Sequence, residues 1–221
     1  MFKSKRRPIV IPQSEHLRLV GALALLWGND DFELPPVERN SMIAGMALHD
    51  RGYGLVDNSA IGEMSEDEWQ TIARRSFSMY SSDVIADTMI KYHIRRLASY
   101  ADTDERKAMV AEFSVAIEEQ LKLHNLSKQV FDRMDRITKL TDNLSFAFCF
   151  DVPDSGEVSI FPQNVEHTEV AVEYQVENGV MHVAPWPFSV NEYKGYIFAY
   201  PLDGYPERLD PFILPYQLER K

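Results

Sequence analysis

His49 and Asp50 stand side by side at the end of a segment in which Met42, Gly45 and Met46 share one helical face leading to His49. An imidazole and a carboxylate together are good ligands for a divalent ion such as Mn, Fe, Zn, Ni or Co. Adjacent side chains on a helix diverge by about 100°, yet both reach one ion when it sits beside the helix terminus. A dipeptide does not fill a coordination sphere, so other elements must contribute. His16 lies in line with Val20, Leu23 and Trp27, and His93 with Ala86, Ile90 and Leu97. Asp142 sits in Leu140-Thr141-Asp142-Asn143-Leu144, where an isolated buried carboxylate is costly and a cation removes the cost. Taken singly, each has an ordinary explanation: a hydrogen-bonded core histidine, a capping or solvated aspartate. The ordered set on separate helices points to a metal held by His16, His49, Asp50 and Asp142.

The elements that must position these residues are helical. Pro12 and Ser14 open the first, and Gly28-Asn29-Asp30-Asp31 ends it. Pro35-Pro36 starts a second, broken by Arg51-Gly52-Tyr53-Gly54. Ser65 to Glu68 has capping-box spacing and opens a third. A fourth is expected over about 82–99, a fifth through Val110, Phe113, Ile117 and Leu121, and a sixth after Ser127. The pattern changes near Phe150. Val158–Phe161, Glu169–Val176, Val180–Ala184 and Tyr196–Tyr200 read as short strands, with Asn178-Gly179 as a hairpin turn. The expected fold is therefore mainly α: a helical metal-binding domain over 1–150, with a small antiparallel β-rich appendage over 151–221 packed on it. A proline-rich tail with Trp186 and Phe188 would form a lid on the helices or a partner surface.

Composition narrows the function. The 221 residues include 34 acidic and 23 basic ones, for a formal net charge of −11. That argues against broad binding to a nucleic-acid backbone, which needs a basic surface. A single cysteine, Cys149, excludes an intrachain disulfide and a cysteine metal cage, and fits a reducing compartment. No apolar run approaches the ~20 residues of a membrane helix, and Ile9 to Pro12 is too short for a signal-peptide core. A cytoplasmic protein without a membrane partner is expected.

The order His16, His49-Asp50, Asp142 resembles the HD superfamily of metal-dependent phosphohydrolases, helical bundles whose H…HD…D residues bind a divalent cation. A closer resemblance is to a mainly bacterial family, domain of unknown function 3891. It rests on Gln13-Ser14-Glu15-His16 with Gly21 and Trp27-Gly28, on His49-Asp50-Arg51-Gly52-Tyr53, and on His93 and Leu97. It continues through Asp142-Asn143-Leu144-Ser145 with Cys149, and Pro185-Trp186-Pro187-Phe188. Tyr53 stands where a tryptophan is expected. The second resemblance implies no reaction. The HD one implies hydrolysis of a phosphoester or nucleotide by a metal-activated water, with a small phosphorylated substrate.

The same resemblance suggests further roles. Asp57, shortly after the pair, is either the acid that protonates a leaving oxygen or a turn carboxylate. His93 either helps a phosphate oxygen electrostatically or ligates a second metal together with His124. The two-metal order H…HD…H…H…D would favour a di-iron oxygenase, although His124 near a helix end reads more simply as exposed. Arg95 and Arg96, like Arg74-Arg75, are candidate phosphate contacts, since guanidinium matches phosphate oxygens; a solvated helix face is the usual meaning of such pairs. A non-catalytic metal-binding regulatory protein is the remaining alternative. His167 and His182, in the β-rich tail, have no assigned site.

Overall fold

A computed structural model describes residues 1–54, 57, 59–164 and 168–221. Six α-helices form where the apolar period predicts them: α1 Gln13–Leu26, α2 Arg39–Ala47, α3 Glu66–Ser78, α4 Val84–Ala98, α5 Asp104–Leu123 and α6 Lys128–Phe150. Side chains start four of them. Glu38 accepts from Ser41 N, Ser65 from Glu68 N, Asp83 from Ile85 N and Ala86 N, and Thr103 from Arg106 N, which satisfies amides a helix start otherwise leaves unpaired. A 3-10 turn, Arg51–Tyr53, follows α2. Its Gly52 is pressed against α3, where an added Cβ would lie 2.6 Å from Ser76 Cβ and 2.9 Å from the Ile72 carbonyl oxygen. Glycine there lets the loop after Asp50 seat directly on α3.

The expectation of a mainly α, HD-type bundle with a small appendage is corrected, and the all-α reading with it. The chain is 45 % helical and 21 % strand, an α/β fold. One mixed sheet holds seven strands: β1 Phe2–Lys3, β2 Ile9–Ile11, β3 Ser155–Ile160, β4 Val170–Glu177, β5 Val180–Ala184, β6 Glu192–Pro201 and β7 Phe212–Arg220. Their spatial order is β1-β2-β6-β7-β5-β4-β3. The sheet therefore recruits two strands from before the first helix, with Val10 opposite Tyr200. It is not wholly antiparallel either, because β5 runs parallel to β7, with Met181 opposite Leu218. The Asn178-Gly179 turn joins β4 to β5 as expected, both residues at positive φ.

Local pattern hid these strands for physical reasons. Ile9, Val10 and Ile11 are all buried, so they show no alternation, and their partner is far along the chain. Pro211 precedes β7 and Pro215 sits inside it, and proline argues against a strand in a sequence reading.

Helices and sheet bury one apolar core. Leu19, Val20 and Leu23 of α1 and Ile137, Leu140, Leu144 and Phe148 of α6 meet Val158, Val172, Ile197 and Leu218 of the sheet. A second cluster ties α3, α4 and α5 through Ala73, Ile90, Ile94 and Phe113, with Phe77 stacked on Phe113 at 3.9 Å. Trp186 and Phe188 are buried in the main core, where Phe188 forms a bridge with Trp27. Among the described residues no helix is long and apolar enough to cross a membrane.

Candidate metal centre

Four elements bring one cluster together at the buried centre. α1 contributes His16, the turn after α2 contributes His49 and Asp50, α4 contributes His93, and α6 contributes Asp142. All three imidazoles are buried, and the carboxylates of Asp50 and Asp142 are nearly so.

Hydrogen bonds fix the tautomers that matter. His49 Nδ1 donates to the Met46 carbonyl at 2.7 Å, which leaves Nε2 with its lone pair. Ser145 Oγ lies 2.8 Å from His16 Nδ1 and 3.3 Å from the His16 carbonyl. When the hydroxyl donates to the carbonyl it accepts from Nδ1, and His16 Nε2 then keeps its lone pair as well. The two Nε2 atoms face each other at 3.1 Å. Two lone pairs at that distance repel unless a cation or a proton lies between them.

The carboxylates complete the figure. Asp142 Oδ1 is 3.4 Å from both Nε2 atoms, and Asp50 Oδ2 is 3.8 Å from His16 Nε2 and 3.7 Å from His49 Nε2. In a tetrahedral site with bonds of about 2.0–2.2 Å, ligand atoms are separated by roughly 3.3–3.6 Å. His16, His49 and Asp142, with donor atoms 3.1–3.4 Å apart, are spaced as three ligands of one ion, and Asp50 approaches the same point at 3.7–3.8 Å. In the absence of an ion the charges act on each other. Burial opposes protonation of His49, but Asp50 and Asp142 outweigh it and raise its pKa. Burial likewise pushes Asp50 up, and His49 and His93 more than reverse it, to about 2. Asp142 is held well below the usual carboxylate range, against the cost of burial, by His49 and His16.

His93 serves a different purpose. Its donor atoms also lie within 4.8 Å of those of His49 and Asp50, but both its nitrogens are engaged. Nε2 donates to Asp50 Oδ1 at 2.9 Å, and Nδ1 accepts from the Arg96 guanidinium at 2.8 Å. Burial and then His49 lower its pKa. His93 thus orients a carboxylate as a neutral ring, with Arg96 anchored behind it on Asp135 at 3.1 Å.

Sequence reasoning overlooked Gln13. Its Nε2 donates to Asp50 Oδ2 at 2.7 Å, so Asp50 is gripped on both oxygens. Ser145 was overlooked in the same way. The signal was present: Gln13 is three residues before His16, and Ser145 three after Asp142, so each shares a helix face with a ligand. Residues that orient metal ligands are worth about 10–100-fold in affinity, and Gln13→Ala is expected to weaken metal binding by that factor. Competition against a chelator of known affinity measures it; unchanged affinity would make the Asp50 contact incidental.

Other candidate residues lie elsewhere. Asp57 accepts from Gln13 N at 2.9 Å and pairs with the Met1 amino group at 3.3 Å, so it acts as a cap for α1. His124 is exposed at the end of α5 and lines a separate surface cleft with Tyr80 and Lys91. Arg95 lies over the Tyr92 ring at 4.4 Å. Arg74 pairs with Glu112 on the surface, while Arg75 donates to the Gly52 carbonyl. His182 is 3.8 Å from Glu219. Cys149 is buried, and burial pushes its thiol up to about 12. His167 lies outside the described residues.

The cluster opens on one side. A cavity of about 310 Å³ reaches Asp50, His93 and Asp142 at its floor, and its walls include Phe2, Trp69 and Phe146.

No curated protein and no solved structure matches the chain. A family model does, over residues 2–199, and it carries the description "Protein of unknown function (DUF3891)". The matched span takes in every residue of the cluster, the first strand and nearly all of β6. The resemblance carried by Gln13–His16, His49–Tyr53 and Asp142–Ser145 therefore extends to the whole architecture around the cage, and the chain belongs to the DUF3891 family.

Proposed function

We propose that this chain holds one divalent transition-metal ion between His16, His49, Asp50 and Asp142 and acts as a metal-dependent phosphohydrolase on a small phosphorylated substrate. The observation that carries this reading is the pair of imidazole Nε2 atoms 3.1 Å apart, flanked by two carboxylates at the floor of a cavity. The order of the four residues also resembles the H…HD…D ligands of HD phosphohydrolases; that likeness concerns the ligands, and the mixed sheet is no part of it. Such an ion, when bound, polarises a phosphoryl oxygen and lowers the pKa of a coordinated water toward neutrality.

The chain's own residues have defined parts. Ser145 and the Met46 carbonyl hold the two imidazoles in the ligating tautomer. Gln13 and His93 aim Asp50. Apolar walls exclude bulk water from the floor. Asp57 is committed to α1, so protonation of a leaving oxygen is not assigned to it. The arrangement favours one ion, because both nitrogens of His93 are hydrogen-bonded and His124 is on another face; a second ion, as in the di-iron oxygenase reading, would have to draw on the group His49, Asp50 and His93. The single buried cysteine and the absence of a membrane-crossing helix among the described residues suit a cytoplasmic enzyme.

One observation favours a second reading. Four protein donors suffice to close a tetrahedral sphere, as in structural metal sites, and that would make the chain a non-catalytic metal protein. Turnover separates the two. The chain loaded with Mn²⁺, Fe²⁺, Zn²⁺, Ni²⁺ or Co²⁺ is expected to release phosphate from a panel of phosphomonoesters and nucleotides, and Asp142→Asn to lower the rate more than about 100-fold. Stoichiometric metal with no phosphate release across the panel would discard the hydrolase in favour of the structural site.

A further inference from the structure

We infer that the cavity above the cage selects a small aromatic phosphomonoester and rejects nucleoside polyphosphates. The phosphoryl end of this inference rests on the phosphohydrolase reading; the aromatic end rests on the cavity wall alone.

Size comes first. At about 310 Å³ the cavity is at the lower limit of small-molecule sites, which run from about 300 to 1,000 Å³. The wall is the second observation. Phe2, Tyr53, Trp69, Tyr100 and Phe146 all line it, and aromatic faces and edges favour another flat ring. Phe2 and Tyr53 are buried, so this is an interior surface, with Tyr100 at the rim, 60 % exposed.

Charge decides what cannot enter. Arg106 also lines the cavity, but its guanidinium is closed by Glu66, with one N–H···O contact at 2.9 Å, and lies 3.2 Å from the Trp69 ring centroid. Arg96 is closed by Asp135. The two carboxylates of the cage offset a divalent ion. Among the described residues the fixed charges thus cancel pairwise, and no surplus cation waits along the wall. One phosphoryl group can bond the ion directly, and the further phosphates of a polyphosphate have no such ligation. A triphosphate would lay further anionic groups against aromatic carbon, which is strongly unfavourable.

The reaction balances without a co-reactant. The water oxygen bonds to phosphorus as the bond from phosphorus to the aryl oxygen breaks. The aryl oxygen takes one proton of the water, and phenol and inorganic phosphate leave; nothing is oxidised or reduced.

The test uses the metal-loaded full chain with phenyl phosphate, glycerol phosphate and ATP. Calorimetry reads binding, and phosphate release is read separately. Phenyl phosphate is expected to bind about tenfold more tightly than glycerol phosphate, the worth of one good aromatic contact, and ATP no more tightly than glycerol phosphate. Trp69→Ala is expected to erase the aromatic preference and Trp69→Phe to keep it. Tyr100→Ala, at the exposed rim, is expected to reduce it without disturbing the fold. Equal affinities for the two monoesters, tightest binding of ATP, or a preference unmoved by Trp69→Ala and Tyr100→Ala would each overturn the inference. Selective binding of phenyl phosphate without phosphate release would uphold it and remove the hydrolase reading.

Discussion

The chain carrying His49→Ala is expected to purify without its ion. His49 supplies one of four converging donors, and its Nδ1 contact with Met46 O gives it no freedom to be replaced by a neighbour. His93, the nearest other imidazole at 4.5 Å between ring centroids, is held by Asp50 and Arg96. Loss of a ligand should exceed the roughly 100-fold upper range seen for residues that merely orient ligands. Elemental analysis after dialysis reads it directly. Stability should follow by mass action. At free metal 100 times the dissociation constant, binding adds about 2.7 kcal/mol to the folded state, so the melting temperature of the parent chain should rise with added metal and that of the variant should not. A variant retaining full metal content would sink the cage as described.

The second large effect is far from the cage. Arg133 of α6 is only 3 % exposed. Its guanidinium donates to Phe161 O at 2.7 Å, to Pro162 O at 2.8 Å, to Glu33 O and to Asn164 Oδ1. It fastens two loops to the helix, and those loops also bond each other, Asn164 N to Glu33 Oε2 at 2.8 Å. Burial lowers its pKa to about 10, against the pull of Glu33; the charge persists at neutral pH because the acceptors surround it. Arg133→Met keeps the stem's volume and removes a donor from the carbonyls of Glu33, Phe161 and Pro162, of which Pro162 O keeps the Glu33 amide at 2.9 Å. A buried acceptor left unpaired costs about 1–3 kcal/mol, so a loss of about 2 kcal/mol is expected, read as a fall in melting temperature of roughly 6 °C. Metal content per folded chain should stay unchanged. A loss under about 1 kcal/mol would mean that water replaces the guanidinium.

The convergence of His16, His49, Asp50 and Asp142 was legible because it depends on residue type and on helix faces, which local pattern encodes. His16, His49, Asp50 and Asp142 each sit where an apolar stripe carries them inward. The helpers were harder. A glutamine or a serine has no metal chemistry of its own, and Gln13 and Ser145, although part of the motifs that carry the family resemblance, are marked as helpers only by their three-residue spacing from His16 and Asp142. Asp57 shows the opposite limit: a carboxylate in a turn offers the same letters whether it protonates a substrate or caps a helix. The sheet was least legible. Ile9–Ile11 finds its partner across most of the chain, and pairing at that distance leaves no local trace, whereas Phe212–Arg220 pairs with the strand just before it and is hidden by its prolines.

The place of β7 has a consequence for how the protein is made. Its two neighbours, β5 and β6, are consecutive in the chain yet do not pair; the last strand enters between them. During synthesis every ligand of the cage has been made before any strand from β3 onward, and the helices can gather around them early. The sheet cannot close until the final strand arrives. Until then β5 and β6 each keep an open edge, the kind of surface that recruits other chains. A product cut short before Phe212–Arg220 would lose the seam of the sheet rather than its hem. Nascent and nicked chains should therefore be those most exposed to aggregation and to cellular proteases.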